Sequence, residues 1–198
     1  MKKKIVFIMN PISGTSSKAA VPSLIDSTLD KEQFEYEIKM TERPEHASEL
    51  AAEARDNHAD IVVAVGGDGT VNEVARSLVH SDSALGILPC GSGNGLARHL
   101  LLPMNLKKSI EIINAYEIHD LDYGVINEYP FFCTCGMGFD AFVSMKFAES
   151  GKRGPISYAE NILREGLKYE PETYTLEDET GTKQYKAFLI SCANASQY

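Results

Sequence analysis

The chain is short of positive charge: Lys and Arg total 19 against 28 Asp and Glu, for a net charge of −9 over 198 residues. No basic surplus exists to neutralise phosphates, which argues against nucleic acid as the main partner. The same deficit argues against broad adsorption to an anionic membrane, though it does not bear on a local basic patch. No apolar run is long enough to span a bilayer. The basic start Met1-Lys2-Lys3-Lys4 is followed by apolar residues 5–9 only, too short for a signal-peptide core, and the run stops at Asn10-Pro11. The four cysteines, Cys90, Cys133, Cys135 and Cys192, match no paired zinc spacing, and the usage fits a reducing cytoplasm. Cys133 and Cys135 alternate within an apolar run and read as small core residues. The five histidines are scattered singly, with no His-Glu-x-x-His. Internal repeats and low-complexity segments are missing. So are a Walker A loop and the protein-kinase motif set.

What the chain does have is Gly66-Gly67-Asp68-Gly69-Thr70, placed after the apolar run 61–65 and before an amphipathic stretch. Glycine lets backbone amides approach a ligand with no Cβ in the way. A helix N-terminus adds unpaired N–H groups and partial positive charge, which suits phosphate. Asp68 would repel a phosphate directly. It makes sense if it holds magnesium or accepts a proton from an attacking hydroxyl. The pattern therefore points to a nucleotide-dependent phosphotransferase. The structural alternative is a capping box, with Thr70 as N-cap, Glu73 reaching back and Asp68 complementing the helix dipole. Capping requires neither the glycine pair nor Asp68.

Residues 1–115 alternate strand and helix patterns. Strands are expected over 4–9, 34–40, 61–65 and 85–88. Helices are expected around Val21 to Leu29, Ala47 to Ala54, Val71 to Val79, 94–102 and 106–115. Such alternation predicts a parallel sheet covered on both faces. Ligands of open sheets bind beyond the carboxyl ends of the strands. Three unusual loops fall there: Asn10-Pro11-Ile12-Ser13-Gly14, residues 66–70, and Gly91-Ser92-Gly93-Asn94-Gly95. The last resembles half a dinucleotide fingerprint, with its third glycine one position early. Leu100-Leu101-Leu102-Pro103 reads as a buried helix end, the alternative being an exposed membrane wedge. The pattern changes near residue 118, giving an α/β domain over 1–117 and an incomplete β-rich domain over 118–198. Strands are expected over 118–126 and 130–135 around the turn Asn127-Glu128, then a helix over 141–150. A linker at 151–155, carrying Lys152-Arg153, and a helix over 157–169 come next. A hairpin of 173–177 and 184–192 closes the pattern. The chain ends directly after a strand, so the β unit is expected to be incomplete, with open edges that favour pairing into a homo-oligomer.

The three loops together resemble the diacylglycerol kinase family in the broad sense, which includes bacterial lipid kinases, sphingosine kinases and ceramide kinases. Asn10-Pro11-x-Ser13-Gly14, Gly66-Gly67-Asp68-Gly69-Thr70-x-Asn72-Glu73 and Pro89-x-Gly91-Ser92-Gly93-Asn94 stand in that family's order. Thr41-Glu42, Asp122-x-Gly124 and Gly136-x-Gly138-Phe139-Asp140 match further positions. The resemblance implies an ATP site between an α/β nucleotide-binding domain and a β-sandwich domain that holds the lipid. It also implies Mg2+ and transfer of the γ-phosphoryl group to a lipid hydroxyl. Carried over by position, Asn10, Ser13, Gly14, Thr41, Gly66, Gly67, Gly69, Thr70, Glu73, Gly91, Ser92, Gly93 and Asn94 would line the nucleotide. Asp68 and Asp122 would form the magnesium-linked acidic centre; the sphingosine kinase branch assigns the acid of this glycine loop, Asp68 here, as the base, whereas bacterial members have another candidate Asp near their C-terminus. Gly138, Phe139 and Asp140 would lie on the lipid side. The resemblance further implies a cytoplasmic protein that is peripheral at the membrane during turnover.

Two departures stand out. Many bacterial members carry Asn-Asp where this chain has Asn94-Gly95, and the Gly-Ser-Gly-Asn version tilts towards a sphingoid-type lipid. The family's C-terminal strands and their Asp-Gly motif are missing, so the 198-residue chain is expected to bind nucleotide poorly and turn over little lipid. Gly-Gly-Asp-Gly-Thr is also shared with NAD kinases, which keeps a soluble-substrate kinase as a rival. A nucleotide-binding regulator without catalysis is the other.

Overall fold

The computed structural model describes residues 2–14, 18–149 and 169–196. The chain divides into two compact units, Met1–Cys133 with Asn194–Tyr198, and Thr134–Ala193.

In the first unit, β1 (Lys3–Met9), β2 (Phe34–Met40), β3 (Ile61–Gly66) and β4 (Ala84–Pro89) form a parallel sheet in the order β2-β1-β3-β4. Strand β1 pairs on both sides, with Ile5 opposite Tyr36 and Ile61. Central parallel strands are covered on both faces, so β1 and β3 read as continuous apolar runs. Alternate side chains serve opposite faces. Ile5, Phe7, Met9, Val63 and Val65 pack towards α1 (Val21–Thr28) and α5 (Leu106–Ala115). Val6, Ile8, Val62 and Ala64 pack towards α2 (His46–Asp56) and α3 (Asp68–Leu78). Full burial of each large apolar side chain contributes roughly 1.5–3 kcal/mol before chain entropy is counted. The sheet leaves β1 towards β2 on one side and returns to β3 on the other. The loops after β1 and β3 therefore diverge at a topological switch point, where open α/β sheets form a crevice.

The sheet and its flanking helices follow the sequence pattern closely. The differences have local causes. The helix expected over 94–102 is only α4 (Gly95–His99). Its N-cap Asn94 is left-handed at φ 54°, and Leu101 is left-handed at φ 57°. The Leu101 amide donates to the Arg98 carbonyl and the Leu102 amide to the Ala97 carbonyl. That bond pair is the Schellman ending, which stops a helix. Leu101 is 89% exposed and Leu100 39%, while Leu102 packs on the core, so only the last leucine of this run closes the helix end against the interior.

The strand expected over 118–126 is reduced to β5 (Gly124–Ile126), which pairs with β6 (Tyr129–Phe131). Both turn residues, Asn127 and Glu128, have positive φ, as a tight two-residue hairpin requires. Before it, Leu121 and Tyr123 pack on the core without joining a sheet. The strand expected over 130–135 breaks at Phe132, which turns into the α2/α3 side of the core. These contacts hold residues 118–133 in the first unit, so the units divide after Cys133 and not at residue 118.

The second unit contains β7 (Thr134–Gly138), α6 (Phe139–Glu149), β8 (Glu172–Asp178), β9 (Gly181–Ala187) and β10 (Leu189–Ala193). Strands β8 and β9 form the expected hairpin, with Asp178 Oδ1 accepting the Thr180 amide at 2.7 Å. The long return strand expected over 184–192 is two strands, and β10 pairs antiparallel with β7. Residues 151–168, with the expected linker and most of the expected helix, lie outside the described residues.

Candidate active site

The three loops singled out in the sequence meet at the carboxyl edge of the parallel sheet. The Asn10 amide donates to the Val65 carbonyl at 3.1 Å, which ties the first loop to the end of β3. Asn10 Nδ2 donates to Thr70 Oγ1 at 3.3 Å, and Asn10 Oδ1 accepts the Ile12 amide at 3.1 Å. The Cys90 amide donates to the Gly66 carbonyl at 2.7 Å, tying the third loop to the second. Glycines make this convergence possible. Gly14, at φ 71°, sits where a Cβ would strike the Cys90 carbonyl. A Cβ on Gly67 would lie 3.1 Å from the Gly91 Cα, and one on Gly93 would lie 2.8 Å from Asp68 Oδ2. Most of these glycines are thus required by loop-on-loop packing.

Gly69 is different. It lies in the first turn of α3, it is exposed, and a Cβ there would meet nothing within 4 Å. Glycine inside a helix is about 0.5–1 kcal/mol worse than alanine. Nothing in the described protein requires it there.

Asp68 opens α3, and its carboxylate bridges to the next helix. Oδ2 accepts the Asn94 amide at 2.9 Å and Oδ1 accepts the Gly95 amide at 2.6 Å. Among the described residues each oxygen therefore has one acceptor site used by α4 and one left. Asn94 fixes the third loop by a reciprocal pair: Oδ1 accepts the Gly91 amide and Nδ2 donates to the Gly91 carbonyl, both at 2.8 Å. Ser92 is exposed on the same loop. The capping-box alternative does not hold. Helix α3 begins at Asp68 with Gly67 as N-cap, no side chain caps it, and Thr70 lies inside the helix. Glu73 reaches across to α2, where Oε2 accepts the Ala47 amide at 3.1 Å.

Thr41 is buried at the end of β2, its amide donating to the Met9 carbonyl at 2.9 Å. Ser13 is buried, with Oγ donating to the Asn10 carbonyl at 3.2 Å. Asp122 is exposed, and its backbone carbonyl accepts from Asn194 Nδ2 at 2.8 Å. Among the described residues no group of three or more His, Cys, Asp or Glu side chains is arranged to hold a metal. Magnesium does not need one: it typically takes one or two carboxylates together with substrate phosphates and water. The remaining acceptor capacity of Asp68 fits that donor chemistry.

Two cationic side chains at this edge carry no motif and were not anticipated. Lys18 is buried, and its ammonium donates to Ser13 Oγ at 2.6 Å and to the Ser13 carbonyl. Arg98 Nε donates to the Gly93 carbonyl at 2.8 Å. Together with Val21, Cys90, Gly91 and Asn94 they line a cleft of about 350 Å³. Cys133 lies close enough to Asp68 that, with burial as the larger cause, the carboxylate raises its thiol above the usual range. Lys18 lies just before α1 and Arg98 in the last turn of the short α4, and neither adds to an apolar periodicity, so only the folded backbone reveals them.

Residues 4–126 match the family described as Diacylglycerol kinase catalytic domain. The chain belongs to that family. A Streptococcus pneumoniae relative is 30% identical over 184 residues, covering 90% of this chain and 62% of its own length. A protein named diacylglycerol kinase from Staphylococcus saprophyticus is 31% identical over 163 residues, covering 80% of this chain and 53% of its own. The chain thus spans roughly half to three-fifths of the length of these curated relatives. A solved structure titled as a diacylglycerol kinase from Bacillus anthracis superposes with a TM-score of 0.72 at 22% identity, over 98% of this chain and 64% of that one. That likeness bears on the fold: a parallel sheet with helices, followed by a smaller part built of antiparallel strands.

In the second unit, Gly138 at φ 95° ends β7, where a Cβ would strike the Tyr174 hydroxyl. The Phe139 amide donates to the Phe188 carbonyl at 2.8 Å, and its ring lies 5.3 Å from Tyr169 and edge-on to Phe188 at 6.3 Å. Burial raises the Asp140 carboxyl above the usual range. These three residues form a tight corner packed on aromatic rings.

Proposed function

We propose that the chain carries the nucleotide site of an ATP-dependent lipid kinase that transfers the γ-phosphoryl group to a lipid hydroxyl, of diacylglycerol or sphingoid type. The observation that carries this reading is the open space at Gly69 beside the Asp68 carboxylate. A backbone that must be approached closely by a ligand excludes a Cβ, whereas a backbone with only solvent beside it does not. An anionic phosphate would sit on the uncapped N-terminus of α3. The loops of residues 10–14, 66–70 and 91–94, with Thr41 at the end of β2, would line the nucleotide, and Glu73 would act through the α2 terminus it holds.

Phosphoryl transfer asks a protein mainly for positioning and charge neutralisation. Asp68 is held in place by two backbone amides and has acceptor capacity left to take the proton of the incoming hydroxyl. Magnesium, when bound, would offset the charge of the triphosphate, with Asp68 and Asp122 as its protein donors. The corner of Gly138, Phe139 and Asp140 would belong to the lipid side. Family membership supports a lipid acceptor over a soluble one.

Gly69→Ala separates this reading from a structural one. Alanine is the better helix former by about 0.5–1 kcal/mol and meets no protein atom, so the melting temperature should hold or rise. Affinity for ATP, measured by calorimetry, should fall at least severalfold. Unchanged ATP affinity in a well-folded Gly69→Ala protein would remove the phosphate from this position.

A further inference from the structure

Three local choices between residues 98 and 108 work against the isolated fold. Leu101 takes the left-handed position of a Schellman ending, normally given to glycine because a Cβ is strained there. The same leucine is 89% exposed, with Leu100 and Met104 beside it in sequence 39% and 37% exposed. Lys107 and Lys108 occupy the first turn of α5, where the helix dipole disfavours cations, and both are exposed. Local rules broken together, with no gain to the fold, mark functional surface more often than accident.

The charge pattern says what would cover this segment. The chain contains 28 acidic residues, yet residues 83–110 contain none, while they hold Arg98, His99, Lys107 and Lys108. An acid-free cationic stretch around a protruding leucine complements an anionic bilayer: cations at the headgroups, apolar side chain below them. A second protein surface would need complementary acids placed one by one. A bilayer needs only the average.

We propose that residues 98–108 dock the protein on anionic phospholipid, with Leu101 inserted below the headgroups and Lys107 and Lys108 at their level. The lipid-kinase reading gives this docking its purpose, but the surface argument rests on the residues alone. Segment 98–108 follows directly on the loop of residues 91–95. Docking there would hold the carboxyl edge of the sheet close to the bilayer.

The test is sedimentation of the full chain with vesicles of phosphatidylglycerol and phosphatidylcholine, against vesicles of phosphatidylcholine alone, without ATP. The expected result is binding to the anionic vesicles that weakens with added salt. Leu101→Gly should weaken it about tenfold, and Lys107→Gln or Lys108→Gln about fivefold each. All three variants should melt no lower than the parent, since each relieves a local penalty. That opposite movement of stability and binding is what a merely structural role would not give. The proposal is overturned if the parent ignores anionic vesicles, or if Leu101→Gly binds them as the parent does. It is equally overturned if Leu101→Gly abolishes a dimer in solution and leaves vesicle binding unchanged, which would make a second copy the occupant. The assay holds no ATP and reads sedimentation alone, so failure here leaves the lipid-kinase reading standing, and the reverse.

Discussion

At the scale of single residues, the carboxyl edge of the sheet separates glycines required by packing from one that packing does not explain. Gly14, Gly67 and Gly93 are held against neighbouring loops, while Gly69 faces open space. In the sequence the four look alike, because both demands call for the same residue. Asp68 is likewise two things at once. It accepts the Asn94 and Gly95 amides, and it is the only acid of its loop. Asp68→Ala should therefore lower phosphoryl transfer by roughly 10²–10⁴. It should also lower stability by about 1 kcal/mol through two lost acceptor bonds, leaving the fold intact. Turnover and a denaturant midpoint measured on the same preparation check both. A variant that loses stability but keeps its rate would reduce Asp68 to a clamp between α3 and α4.

At the scale of elements, legibility followed periodicity. Strands β1 and β3 were readable because a central parallel strand must be apolar on both faces, and β2 because an edge strand alternates. The short helix α4 was not, since its length is set by two left-handed residues, Asn94 and Leu101, that no apolar spacing announces. Nor was the break at Phe132, where an apolar residue leaves strand geometry to fill the core. Glu73 illustrates the same limit. Its spacing from Thr70 fits a capping box, yet it serves the neighbouring helix α2, whose own N-cap Glu45 makes no side-chain capping bond. Glu73→Gln should cost about 0.3–1 kcal/mol by removing an anion from that terminus. The loss should shrink at high salt, as a urea titration at two ionic strengths would report.

At the scale of the whole molecule, the sheet order places loops from β1, β3 and β4 on one edge, and that convergence turns three weak motifs into one site. The resemblance stated from those motifs agrees with the family match over residues 4–126. Lys18 and Arg98 were invisible beforehand, because a single buried lysine before α1 and a single arginine in the last turn of α4 have no sequence signature and acquire meaning only from the cleft they line. The central claim is that this edge binds ATP and delivers its γ-phosphoryl group to a lipid. It is tested most directly by incubating the full-length protein with labelled ATP and magnesium in mixed micelles of diacylglycerol, sphingosine or ceramide, with NAD in parallel. The account predicts label in one of the lipids, and its loss in Asp68→Ala. Label in NAD alone, or tight ATP binding with no transfer to any acceptor, would contradict it.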